Sequence, residues 1–107
     1  KKMGSESGTD LFKEISDIFR GETPQNIEKM MFLLQSGSFD DLAKLAHHFK
    51  SSCNGVGALK MADFCQQIEF EAKNQNKIEL DQTILNLRQE IPQVFELLNH
   101  EENTKIA

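Results

Sequence analysis

The chain has 107 residues, 38% of them hydrophobic, and a formal net charge of −5 from 17 acidic and 12 basic side chains. That length supports one domain with one core, and no apolar run approaches the roughly 20 residues a membrane span needs. The acidic balance, without a block of Lys or Arg, argues against nucleic acid as a partner, and two cysteines are too few for a disulfide framework. We therefore expect a soluble, monomeric, cytoplasmic chain without membrane contact. No charged-then-apolar secretory pattern opens the sequence. Its first residue is Lys, which reads as a piece of a longer protein or as one carrying added residues.

Residues 1–8 are polar and small with no periodicity, and are expected to be flexible; residues 9–107 form the domain. Leu11, Phe12, Ile15, Ile18 and Phe19 predict a short N-terminal helix, capped by Thr9 or Asp10 and ended by Gly21. Thr23-Pro24 opens a second helix with Ile27, Met30, Met31 and Leu34 inward, ended by Gly37. The third starts at Ser38, with Asp41 three residues on as a weaker capping box. Its apolar set is Leu42, Leu45, Ala46, Phe49, Cys53 and Val56, and Gly55-Val56-Gly57 ends it. Ala58, Met61, Ala62, Cys65, Ile68 and Ala72 line the fourth, before an Asn74–Lys77 turn. Leu80, Ile84, Leu87, Ile91, Val94, Phe95 and Leu98 line the last, which Pro92 should kink. Short connections favour antiparallel neighbours, so the fold is an all-α, up-and-down four-helix bundle with a short extra N-terminal helix.

On the third helix His47 falls roughly 150° from the apolar centre, at 100° per residue, and so points to solvent. Its helical neighbours are Ala43, Lys44, Lys50, Ser51 and Asn54, with no carboxylate among them. A neutral imidazole is a nucleophile near pH 7, and a phosphoryl group on it needs cationic or hydrogen-bonding partners such as Lys50 or, less directly, Lys44. Small Ala43 and Ser51 leave room for a partner to approach. Taken alone, the face fits an ordinary solvated surface with a chance histidine at least as well. Antiparallel packing about Gly57 sets residues 66–69 level with His47, where Gln66, Gln67 or Glu69 can accept a proton from Nδ1. A boundary glutamate with its head in water explains Glu69 equally.

The stretch Ala46-His47-His48-Phe49-Lys50-Ser51-Ser52-Cys53-Asn54-Gly55-Val56-Gly57-Ala58, followed by Cys65-Gln66-Gln67-Ile68-Glu69, resembles the signature of histidine phosphotransfer (HPt) domains. The family pattern is approximately Ala-His-x-Leu-Lys-Gly-Ser-Ser, a Leu-Gly-Ala turn, then a Cys-x-x-Leu-Glu-like helix. The resemblance implies a four-helix bundle that is phosphorylated on His47 at Nε2 and exchanges the group with receiver-domain aspartates. Lys50 is then the electrostatic partner and Glu69 the hydrogen-bonding residue. The chain departs from the pattern at Ser51, where Gly is common, at Phe49, where Leu is usual, and at Gly55 within the helix end.

His48 is the rival carrier, but it points toward the flank of the apolar stripe, where a packed, partly buried side chain is expected. Adjacent histidines diverge on a helix, so no metal site is expected, and no nucleotide loop or second base points to independent catalysis. The chain reads as a phosphoryl carrier and not an enzyme, without a cofactor of its own, the Mg²⁺ coming from the receiver. Docking is expected to use Phe12 or Phe19. Open alternatives are a helical adaptor without chemistry and a chemotaxis-type phosphotransfer domain charged directly by a kinase. The chain is either a free-standing shuttle or the C-terminal domain of a hybrid sensor histidine kinase.

Overall fold

A computed structural model describes the backbone of residues 3–106 and the side chains of residues 11–99. The side chains of the segment 1–8, expected to be flexible, lie outside the described residues, as do those of Thr9 and Asp10. Four helices account for the described chain: α1 (Met3–Ser36), α2 (Phe39–Gly55), α3 (Leu59–Lys73) and α4 (Lys77–Ile106). Each packs on its sequence neighbour, and α1 closes the bundle against α4. The molecule is elongated, 50 × 24 × 18 Å, because α1 and α4 have 34 and 30 residues against 17 and 15 in the central hairpin.

The separate N-terminal helix does not occur. Its residues belong to α1, which runs through Gly21 and Pro24 without a break. Proline removes one backbone bond there, but neighbouring side chains brace the turn. Thr23 Oγ1 donates to the Phe19 carbonyl at 2.6 Å and Gln25 Nε2 to that of Gly21 at 3.2 Å. Tertiary packing supplies the rest: Phe19 stacks on Phe49 with ring centroids 5.9 Å apart and meets Phe95 edge-on at 6.2 Å. Those contacts tie α1 to α2 and α4, each contributing about 0.5–1.5 kcal/mol beyond its burial. Likewise α4 continues through Pro92.

The expected first stripe is only partly inward. Phe19 is buried and Phe12 half-buried, while Leu11, Ile15 and Ile18 are exposed; the buried line runs Ser16, Phe19, Thr23, Ile27 and Met30. The cause is length. Counting from the turn at Gly37, α2 ends level with about residue 20 of α1 at 1.5 Å per residue, so the first turns of α1 have no α2 beside them.

All three turns share one hydrogen-bond pattern, in which the two residues after the helix cap bond back to its last turn. Gly37 (φ 74°) and Ser38 bond to Leu34 and Leu33, and Gly57 (φ 79°) and Ala58 bond to Asn54 and Cys53. Gln75 (φ 53°) and Asn76 bond to Ala72 and Glu71 in the same way. Ser38 occupies the N-cap position of α2 but makes no cap bond, its hydroxyl lying 3.1 Å from that of Ser36, so the expected capping box is not formed. Asp40 and Asp41 still favour the positive end of the helix dipole. Between α3 and α4, buried Glu71 accepts at Oε2 from Gln67 Nε2 and Thr83 Oγ1, both at 3.1 Å. Gln75 adopts the left-handed conformation that costs a side chain about 1–2 kcal/mol. Gln75→Gly is therefore expected to stabilise the fold by about 0.5–1 kcal/mol after the extra entropy of an unfolded glycine, read as a higher urea midpoint with unchanged slope.

Candidate functional site

The α2–α3 hairpin builds the site. Leu42, Ala46, Phe49 and Cys53 of α2 face Met61, Cys65 and Ile68 of α3 in the core, all but absent from solvent. With those stripes inward, His47 emerges on the outer flank of α2 with 66% of its side chain exposed, while Glu69 on α3 retains 18%. His47 Nδ1 lies 3.2 Å from Glu69 Oε1. With its proton on Nδ1 the ring donates to the carboxylate, which leaves the Nε2 lone pair outward.

Lys73, one turn beyond Glu69, holds the other oxygen, Oε2, at 3.2 Å. Partial burial works against a charged Glu69, but the hydrogen bonds and charges of His47 and Lys73 together outweigh it, so its carboxyl sits below the usual 4.5. A depression of about 430 Å³ opens beside the ring, lined by Asp40, Ala43, Lys44, His47, His48, Glu69 and Lys73. Ala43 is buried and leaves the space that a larger residue would fill.

The expected residues divide. Lys44 and Glu69 share the depression with His47. Lys50 is half-buried and Ser51 and Gln66 are exposed, all three outside that lining. Gln67 turns to Glu71. The patch is not free of carboxylates, since Asp40, two turns before His47, lines it. Lys73 was not anticipated, although its position four residues after Glu69 is the spacing of a helical ion pair. His48 is exposed, contrary to the packed position expected. The reason is that α1 does not close over it: a second depression of about 480 Å³ separates the helices there, lined by Lys29, Leu33, Asp41, Lys44, Leu45 and His48.

Neither cysteine competes as a nucleophile. Both are fully buried, and the Cys53 thiol is pushed up by its hydrogen bond to Cys65 and by burial, which keeps it protonated. Phe19, named as a docking residue, is buried in the aromatic cluster.

A model of the Hpt domain matches residues 14–98, from the first half of α1 into the second half of α4. The chain belongs to the Hpt domain family. No curated protein and no solved structure matches it. Hpt domains are phosphoryl carriers of two-component phosphorelays rather than catalysts, and they interact with receiver domains. In this Hpt domain no helix among the described residues is long and apolar enough to cross a membrane.

Because Glu69 titrates below its usual 4.5, the stability it brings is complete above that pH and is lost as the pH falls through the lowered value. Glu69→Gln removes the charge but keeps the shape. The melting-temperature gap between wild type and this variant should be open at neutral pH and close as the pH is lowered below 4.5 and through the depressed value. A gap of constant size across that range would mean that the carboxylate charge contributes nothing.

Proposed function

We propose that His47 carries the phosphoryl group, exchanging it between aspartates of receiver domains. The observation that supports this reading is the 3.2 Å contact between Nδ1 and Glu69 Oε1 on a ring otherwise open to solvent. An acceptor on Nδ1 fixes the tautomer and orients the ring, so Nε2 attacks without waiting for a proton to leave.

In the forward step Nε2 attacks the phosphorus of an aspartyl phosphate in line. A P–N bond forms, the P–O bond to the aspartate breaks, and the aspartate departs as a carboxylate. The product ring is an imidazolium that keeps its Nδ1 proton, and Glu69 offsets the positive charge. Returning the group to a second aspartate reverses each change. Phosphoryl transfer depends on positioning and charge neutralisation. Lys44 and Lys73 line the depression beside the ring and supply cations for the phosphoryl oxygens. Lys50, at i+3 on the same helix, Ser51 and, on α3, Gln66 lie outside that lining and have supporting roles at most. The acidic pocket and its Mg²⁺ belong to the receiver, and the cytoplasm is where such partners meet this chain.

Incubation with a phosphorylated receiver should place an acid-labile, alkali-stable label on the chain. His47→Gln should abolish that label and His48→Gln should leave at least half of it. Label that survives His47→Gln would remove His47 from the carrier role. Absence of label with every competent donor would favour a helical adaptor without chemistry.

A further inference from the structure

The face of the bundle remote from His47, formed by α1 and α4, carries features that phosphoryl transfer does not use. A groove of about 540 Å³ runs between the two helices where Pro24 and Pro92 face each other, floored by Ile27, Met31 and Ile91. It continues past Met31 and Arg88 into a second depression of about 260 Å³. Along α4, Ile78, Leu85 and Pro92 repeat every seven residues, the spacing of one helical stripe. Ile78 is 84% exposed and Leu85 42%. The rims are charged. Glu28 on α1 and Arg88 on α4 border the groove at one level, and neither belongs to an ion pair among the described residues.

We propose that this face is the interface of a homodimer. A two-fold axis parallel to the helices lays α1 of one protomer over α4 of the other and leaves every residue at its own level. Glu28 then meets the partner's Arg88, and the reciprocal pair forms across the axis, as an isologous contact requires. The same operation brings Gln35 to the partner's Asp81, an amide donor to a carboxylate; both border the second depression. A small ligand in the groove would leave Ile78 and Leu85 in water, whereas a second copy covers the whole stripe. The strip from Ile78 to Pro92 is about 21 Å long at 1.5 Å per residue. That is short for a standard interface, so the dimer is reversible and forms at micromolar concentrations or above. Each His47 stays on an outward face, open to its own partner.

Sedimentation equilibrium of the full chain, from about 10 μM to about 1 mM, tests this. The mass should rise toward twice that of the chain. Glu28→Arg alone and Arg88→Glu alone should each weaken association about tenfold, with helical content and melting temperature retained. An equimolar mixture of those two variants should restore it, because each altered charge meets its opposite only between chains. Leu85→Ser provides a charge-independent loss. A chain monomeric at every concentration, a dimer indifferent to these substitutions, or a mixture no tighter than its components would overturn the proposal.

Discussion

His47 and Glu69 stand on different helices, and the turn between those helices keeps them in register. Gly57, at φ 79°, lets the chain reverse within three residues while its amide and that of Ala58 bond back to Asn54 and Cys53. From there the count is rigid: ten residues back along α2 lies His47, and twelve forward along α3 lies Glu69. A slip of one helical turn would carry the carboxylate about 5.4 Å along the axis and break the contact with Nδ1. The core stripes resist such a slip, since Phe49, Met61 and Ile68 would each leave a filled site for a wrong one.

The same arrangement separates stability from chemistry. The core that holds the hairpin faces inward, including two buried thiols, while the His47 ring, Lys44 and Lys73 face out. An acidic protein thereby presents a locally mixed surface, with Lys44 and Lys73 beside Asp40 and Glu69. Lys73 engages the second oxygen of Glu69, which holds a cation beside the partner of the His47 ring. On the proposed reading the chain supplies His47 as the nucleophile, with an acceptor facing its Nδ1 and cations lining the open depression beside it. A carrier needs that openness, because its group must remain transferable.

Much of the core was legible from period-3.6 spacing, and the level of Glu69 follows from counting outward from Gly57. What escaped were features set by more than one helix. The first two expected helices are one, because the proline signal is local while Phe19, Phe49 and Phe95 act across three helices. Leu11, Ile15 and Ile18 form an apolar stripe that a wheel sends inward, yet the helix that would cover them stops short. His48 is exposed for a related reason, the spread between α1 and α2 that opens a depression beside it. Lys73 was not legible from the spacing around His47, because it reaches the site only through the second oxygen of Glu69. Lys50, singled out by its spacing, is half-buried beside the core and outside the depression.

The most direct test asks which ring nitrogen takes the phosphoryl group. Phosphorus and nitrogen NMR of the phosphorylated chain distinguishes the two phosphohistidine isomers. The expected result is a single species bonded at Nε2 of His47, with Nδ1 still protonated toward Glu69. Phosphorylation at Nδ1, or a free ring already carrying its proton on Nε2, would contradict the role given to Glu69 and with it the geometry on which the site rests.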